Sequence, residues 1–153
     1  GEHGTRWGSG EGHIVAIELL DSAGTPVTRV RTGDSVTFRL QYQMLEPLAK
    51  PVFAFDIHTV DGIHVSGTNT RDAGLVADRV EGSGIVDLRI DRLLLVPGTY
   101  DASTVLLDWT VTHTYDERHR AFRFDVERGT PEDTAGVTSL GGNWSGLESQ
   151  GAP

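Results

Sequence analysis

Apolar and polar residues alternate along residues 36–44 more regularly than anywhere else in the chain. Single polar residues separate the apolar ones there, which are Val36, Phe38, Leu40, Tyr42 and Met44. Successive side chains of a β-strand point to opposite sides, so this period of two is typical of a strand with one buried face. An amphipathic helix would instead repeat its apolar residues every three or four positions. Residues 36–44 are therefore predicted to form a half-buried strand.

Other short apolar or alternating segments are bounded by glycine, proline and further turn-forming residues, as strands are. The additional predicted strands are residues 14–20, with a short continuation at residues 28–31, and residues 52–59, 63–69, 85–90, 99–107 and 120–126. Asp61-Gly62 is a two-residue hairpin signal, and both Ile63 and Val65 of the returning strand are expected to face inward. Residues 70–84 and 108–118 are predicted loops. About seven short strands without a helix predict an all-β antiparallel sandwich.

One folded domain is expected between two polar, glycine-rich ends. The chain has 153 residues, of which 37% are hydrophobic, enough for a single core. Residues 1–12 contain five glycines and are predicted to be a linker. Residues 13–128 would form the sandwich, and residues 129–153 a second linker and a C-terminal tail strand. That weak strand, residues 137–140 with Trp144 beyond it, needs a sheet edge to pair with.

Charge and composition exclude several classes of function. The formal net charge is −9 and the chain has a single lysine, Lys50, so it lacks the basic clusters that bind nucleic acid. The absence of cysteine excludes disulfides and cysteine-ligated metals, and favours a reducing compartment. No apolar run approaches the roughly 18 residues of a membrane span, so direct membrane insertion is not expected.

Candidate metal-ligating and acid–base side chains occur in two places. One group is Asp56, His58 and His64 around the predicted hairpin, and the other is His113, Asp116 and His119 in a polar stretch. Each group has an alternative interpretation, as polar residues on an outward sheet face and as a solvated loop respectively. We adopt these alternatives and expect neither a metal nor a cofactor.

Catalysis is also not expected. A glycosidase needs two carboxylates about 5 to 10 Å apart across a cleft, and the available ones are scattered along the chain. Those candidates are Asp56, Asp87, Asp101 and Asp108. Neither Ser9 nor Ser83 lies in a nucleophile elbow. The sequence also lacks the phosphate-binding loop that ATP hydrolysis requires.

The order and spacing of several short motifs resemble one known family. The motifs are Arg6-Trp7-Gly8-Ser9-Gly10-Glu11, Thr32-Gly33-Asp34, residues 53–58, Asp61-Gly62, residues 65–67, Asn69-Thr70, Val96-Pro97-Gly98-Thr99-Tyr100, and Gly136-Val137 through Asn143-Trp144. Together they resemble the Wzt-type C-terminal domain of the ATP-binding subunit of bacterial polysaccharide-export ABC transporters. The resemblance covers nearly the whole chain.

This resemblance implies an immunoglobulin-like β-sandwich that binds a lipid-linked, O-antigen-like polysaccharide for export. Its partners would be the polysaccharide, the ATP-binding domain and the membrane subunit of the parent transporter. A homodimer that exchanges its last strand is implied as well. The domain would lie in the cytoplasm, peripheral to the inner membrane through the transporter. The charge of −9 favours a neutral polysaccharide over a strongly acidic one.

A sugar site needs an aromatic surface for the apolar ring face and planar polar groups for the hydroxyls. The outward face of a sheet holding strands 52–59, 63–69, 99–107 and 120–126 would display such a polar strip. We predict as ligand-binding residues Asp56, His58, His64, Ser66, Ser103 and Arg123, with Trp109 as the aromatic platform. Alternatively, Trp109 caps the end of the sandwich. Trp7 and Trp144 are assigned to terminal packing or a dimer contact, and Tyr100 to the core.

A second hypothesis is a structural or dimerisation sandwich that mediates protein contacts of the transporter ATPase. The two hypotheses predict different surfaces. An exposed aromatic residue beside the polar strip favours glycan binding, and an uninterrupted apolar patch favours protein contacts.

Overall fold

The computed structural model describes residues 4–147, and all regular elements in that range are β-strands. The outermost parts of the predicted linker and tail, residues 1–3 and 148–153, lie outside the described residues. In chain order the strands are β1 (Thr5–Trp7), β2 (Gly12–Leu20), β3 (Pro26–Val27), β4 (Arg29–Arg31), β5 (Val36–Met44), β6 (Leu48–Ala49), β7 (Val52–Thr59), β8 (His64–Asn69), β9 (Arg79–Val80), β10 (Ser83–Ile90), β11 (Gly98–Leu107) and β12 (Thr114–Glu127). The described residues include no helix with the length and hydropathy of a membrane span.

Two sheets form the sandwich. The larger sheet has the order β1-β12-β11-β7-β8, and β4 pairs in parallel with the end of β12. The smaller sheet has the order β10-β5-β2-β3, and β6 pairs with β9 in a separate short ribbon. Apart from the β4–β12 pair, neighbouring strands within these described elements are antiparallel. The predicted all-β, immunoglobulin-like antiparallel sandwich is confirmed.

The core lies between the two sheets and is centred on aromatic side chains. Phe38 of β5 packs on Phe55 of β7 and Phe124 of β12, with ring centroids 4.7 and 5.3 Å apart. Burying one such ring stabilises the fold by about 2 to 3 kcal/mol. Tyr100 is a core residue as predicted, and its hydroxyl donates to the carbonyl of Val96 at 2.6 Å.

A β-bulge in β8 changes which hairpin residues face the core. Ile57 is in register with Ser66, but the next residue, His58, is in register with His64. One extra residue of β8 therefore lies between these pairs. Val65 packs against the core as predicted, whereas Ile63 precedes the strand and is exposed. The predicted inward position of Ile63 is wrong.

Two polar segments predicted as linker and loop contain strand. Thr5–Trp7 forms β1 on the edge of β12, inside the expected linker, and β12 begins at Thr114, inside the expected loop. A wide register shift in β12, where Ala102 pairs with Phe122 and Thr104 with Arg118, interrupts the alternation there. A three-residue strand and a bulged polar strand carry too few periodic positions to be recognised from the sequence.

The predicted tail strand bonds to its own chain. The Val96 amide donates to Val137, and the Ser139 amide donates to Leu94, at 3.2 and 2.7 Å. An isolated bridge joins Thr138 to Leu95. Beyond this contact the tail turns outward, and its apolar side chains Leu140, Trp144 and Leu147 are exposed.

Candidate functional site

The outer face of the larger sheet carries a cluster of polar side chains near the β7–β8 hairpin. His58 is in register with Asp101, and Asp101 with Arg123. Asp56 lies in the next row, in register with Ser103. Residues in register share one face of a sheet, so these side chains lie side by side. Of the predicted site residues, the structure brings together Asp56, His58, His64, Ser103 and Arg123.

Asp101 is the electrostatic centre of this cluster. Its side chain is 0% exposed, and Oδ1 accepts from Arg123 Nε at 2.8 Å. Its Oδ2 accepts from Arg120 Nε at 2.9 Å and from Arg123 Nη2 at 3.0 Å. Burial alone would raise the pKa of Asp101, but the hydrogen bonds and charges of Arg123 and Arg120 outweigh burial and lower it. The ionised carboxylate therefore fixes two guanidinium groups on the outer face.

Ser103 is buried beneath Arg120, so its predicted position as an exposed residue of the outer face is wrong. Its hydroxyl accepts the Arg120 amide at 2.7 Å. Arg120 has a φ of 53° in the bulged part of β12, and its Nη2 donates to the Val60 carbonyl at 2.5 Å. Ser103 therefore helps to place Arg120, a residue that sequence patterning did not single out.

Three histidines border the same cluster. His58 stacks on His64 with ring centroids 4.7 Å apart, and the His119 ring lies 6.2 Å from His58. His64 Nε2 lies 2.8 Å from Asp56 Oδ1. Burial lowers the pKa of His58 and the neighbouring His64 lowers it further, which favours the neutral imidazole at neutral pH. A neutral imidazole offers both a donor and an acceptor, and the buried His58 Nδ1 has no hydrogen-bond partner among the described residues.

Gly67 makes room for the bond between Asp56 and His64. Gly67 is in register with Asp56 on the outer face. A Cβ atom at position 67 would overlap Asp56 Oδ1 and lie 3.3 Å from His64 Nε2. The missing side chain lets the carboxylate lean across β8 to the histidine.

Ser66 does not belong to this face. The β8 bulge puts Ser66 in register with the core-facing Ile57, on the other side of the strand from Gly67. Strict alternation from His64 would have placed Ser66 beside Asp56. The predicted position of Ser66 is therefore wrong, and the extra residue in the strand is the cause.

Trp109 also lies apart from the cluster. Trp109 follows the end of β11. At the usual rise per strand residue, that end lies about 20 Å from the row that contains Asp101. Its carbonyl accepts from Arg71 Nη1 at 2.8 Å, and Lys50 Nζ lies 5.9 Å from its ring centroid. These contacts tie three loops together, which fits the alternative of a cap at the end of the sandwich.

Trp7, which the sequence analysis assigns to terminal packing or a dimer contact, lies on the outer face of the larger sheet. It is in register with Glu117, which continues the row through Val105 to Ala54 on the outer face. The indole is 56% exposed, and its Nε1 donates to the Glu117 carboxylate. Trp7 lies three strands from Asp56, a span of about 14 Å.

The second group of candidate ligands is dispersed. Asp116 is buried and turned toward β2, where its Oδ2 accepts the Ile14 amide at 2.7 Å, while His119 lies on the outer face. His113 precedes β12 and lies 2.7 Å from the Ser9 hydroxyl. Within residues 4–147 no three histidine, aspartate or glutamate side chains are grouped as a metal site would require.

Ser9, His113 and Glu11 do not form a nucleophile relay. The Ser9 hydroxyl and Glu11 Oε2 both approach His113 Nε2, at 2.7 and 3.7 Å. In such a relay the carboxylate must bind the opposite ring nitrogen. The carboxylates considered for glycoside cleavage are likewise divided, since Asp87 lies on the smaller sheet and Asp108 in the loop before β12.

Comparison with known families decides the assignment. The sequence profile of the Wzt C-terminal domain matches residues 3–140. The chain belongs to the Wzt C-terminal domain family. It is accordingly a domain of the ATPase of a polysaccharide ABC transporter. Trp7 and the whole outer-face cluster lie inside the range matched by the Wzt C-terminal domain, whereas Trp144 lies beyond it.

The solved structure of the C-terminal domain of Wzt supports the same fold. The crystal structure of the C-terminal domain of Wzt has 18% sequence identity and a TM-score of 0.82, covering 94% of this chain and 89% of that one. The soluble domain of PmoD from Methylocystis sp. has 13% identity and a TM-score of 0.37, covering 79% of this chain and 94% of that one. An immunoglobulin-like protein from Pseudomonas aeruginosa has 12% identity and a TM-score of 0.38, covering 78% and 98%. No curated protein matches the chain by sequence.

Proposed function

We propose that this Wzt C-terminal domain is a non-catalytic carbohydrate-binding domain that recognises a lipid-linked, O-antigen-like polysaccharide for export. The observation that carries the proposal is the exposed Trp7 indole on the same sheet face as the polar cluster. An aromatic ring packs against the apolar face of a sugar, and planar polar groups bind its hydroxyls. The domain would act in the cytoplasm, at the inner membrane through the ATP-binding domain and the membrane subunit, without a metal or cofactor.

The groups of the outer face supply complementary hydrogen bonds. Asp56 uses Oδ1 for His64, which leaves Oδ2 as an acceptor for a hydroxyl. His58 would use its Nε2 for a hydroxyl, since its Nδ1 is buried, and the guanidinium groups held by Asp101 offer donors. Carboxylates and guanidiniums nearly balance on this face, so a neutral polysaccharide fits it better than a strongly acidic one.

Replacing Asp56 by alanine tests this proposal. The variant should bind the delipidated polysaccharide, purified from the strain that carries the gene, about tenfold more weakly in calorimetric titration. Charge-assisted hydrogen bonds contribute about 1.5 to 3 kcal/mol. The melting temperature should change little, because outward substitutions usually cost less than about 0.5 kcal/mol.

Asp87→Ala is the matched control. Asp87 also faces outward and binds an arginine, Arg39, but lies on the smaller sheet, and its side chain is 35% exposed against 30% for Asp56. Its affinity should equal that of the wild type. Full affinity in Asp56→Ala, or equal losses in both variants, would place the polysaccharide elsewhere.

We also propose that the domain forms a homodimer through its tail. The side chains of Leu140, Trp144 and Leu147 are exposed, although each is large and apolar. A second copy that covers them would remove this surface from water, and a symmetric pair closes on itself. Since residues 137–139 bond to their own body, the contact would begin at Leu140.

Deleting residues 141–153 should convert the dimer to a monomer in multi-angle light scattering. The deletion keeps residues 137–139 and thus the bonds to residues 94–96. The melting curve of the shortened chain at low concentration serves as the folding control. A wild type that is already monomeric, or a shortened chain that stays dimeric, would contradict the tail contact.

A further inference from the structure

Strand β1 is held to the sandwich by polar contacts, without a buried apolar face. Its three residues are exposed, and β12 is its pairing strand. Arg6 extends away from the outer face, with Nε 3.1 Å from Asp116 Oδ1 and Nη2 donating to the Ile14 carbonyl at 2.7 Å. The amides of Ser9 and Gly10 donate to Thr114 and Tyr115 at 3.2 and 2.8 Å. Segments attached by so few contacts open locally at low cost.

Asp116 is the fixed half of the Arg6 ion pair. Its side chain is buried, and its other oxygen is bound to the Ile14 amide of the smaller sheet. The ion pair therefore joins β1 to both sheets. Arg6 lies on the opposite side of β1 from Trp7. A polysaccharide on the outer face would therefore not contact Arg6.

Glycines border β1 at both ends. Gly4 and Gly8 have φ angles of 94° and 136°, and a Cβ atom at either would overlap a carbonyl of β12, that of His119 or Tyr115 respectively. Glycine adopts this left-handed backbone without strain. Strand β1 is thus a three-residue segment with a conformationally flexible glycine at each end.

We propose that Arg6 is a positioning residue, whose ion pair with Asp116 holds Trp7 on the outer face, and that bound polysaccharide in turn locks β1 onto β12. This inference rests on the proposed function. Trp7 and Asp56 are three strands apart, so a polysaccharide that touches both binds the docked form of β1 and not the released form. Bound polysaccharide therefore shifts the equilibrium between released and docked β1 toward the docked form. By linkage, the factor by which polysaccharide favours docking is also the factor by which docking strengthens polysaccharide binding.

Affinity measurements on the 153-residue chain test the first half. Arg6→Ala should weaken binding of the delipidated polysaccharide about tenfold, because apparent affinity falls with the fraction of docked molecules. Arg6→Lys keeps the charge and should recover part of the loss. Arg29→Ala is the matched control, since Arg29 belongs to β4 on the same β12 and lies 3.3 Å from Glu127. Its affinity should not change.

Amide hydrogen exchange at Ser9 and Gly10 tests the second half. Polysaccharide should slow exchange at both amides several-fold in the wild type, and should not slow it in Trp7→Ala. Wild-type affinity in Arg6→Ala, or exchange that does not respond although polysaccharide binds, would overturn this inference and leave the proposed function intact. No titration signal with the wild type would overturn both.

Discussion

Replacing Asp101 by asparagine is expected to destabilise the domain by about 3 kcal/mol. Removing one partner of a buried ion pair costs about 3 to 5 kcal/mol, since the remaining charge loses its compensation. Asp101 is fully buried, but the two arginines that it binds are 33% and 47% exposed and reach water, so the cost lies at the lower end of that range. Urea denaturation of the variant and the wild type measures the difference.

Asp87→Asn is the control for this measurement. Asp87 binds Arg39 through both oxygens, at 2.9 and 3.0 Å, in the same bidentate manner but at an exposed site. Exposed pairs contribute about 0 to 1 kcal/mol. Equal losses in the two variants would show that burial of Asp101 does not matter.

The effect of Asp101→Asn should depend on pH in a defined direction. The pKa of Asp101 is lowered in the folded protein, so the ionised carboxylate contributes stability that is fully present above its unfolded pKa. That contribution is lost as pH falls through the folded pKa, which lies below the ordinary value for an aspartate. The difference between the wild type and Asp101→Asn should therefore shrink in acid. A difference that grows in acid would contradict the lowered pKa.

Replacing Trp7 by alanine is expected to weaken polysaccharide binding about thirtyfold. Truncating a tryptophan that anchors a binding surface costs about 2 kcal/mol or more. Trp7→Phe keeps an aromatic ring while losing the hydrogen bond to Glu117, and should retain most of the affinity. Calorimetric titration with the delipidated polysaccharide gives both values.

Trp109→Ala distinguishes the two candidate platforms. The structure ties Trp109 to Arg71 and Lys50 at the end of the sandwich, away from the histidine cluster. Its replacement should leave affinity unchanged. A loss confined to Trp109→Ala would make Trp109 the aromatic platform and move the polysaccharide to that end.

Most of the fold could be predicted because its central strands bury one face. In β5 and β7 apolar residues occupy alternate positions, and both strands lie where the pattern placed them. The hydrophobic pattern did not predict strand β1 because all three residues of this strand are exposed. It did not predict the first half of β12 because the inward residue there, Asp116, is a carboxylate held by hydrogen bonds.

The candidate site was predictable only as far as strict alternation holds. Alternation placed Asp56 and His58 on the outer face correctly, since β7 has no extra residue. It failed for Ser66 at the β8 bulge, and it could not reveal that Ser103 is covered by Arg120. Contacts between distant strands decide such positions, and one sequence carries no signal for them.

The placement of β1 bears on where this domain should be cut for study. Within residues 4–147, no residue of the hydrophobic core precedes Ile14, so a fragment beginning at His13, as the hydrophobic pattern suggests, would keep the described core. It would nevertheless lack Trp7 and leave Asp116 without Arg6. On the proposed site, such a fragment would bind polysaccharide poorly even where it folds, and that loss would not be evidence against the binding face. Expression boundaries that test the proposed site, in this chain and in relatives, should therefore include the strand before the first buried one.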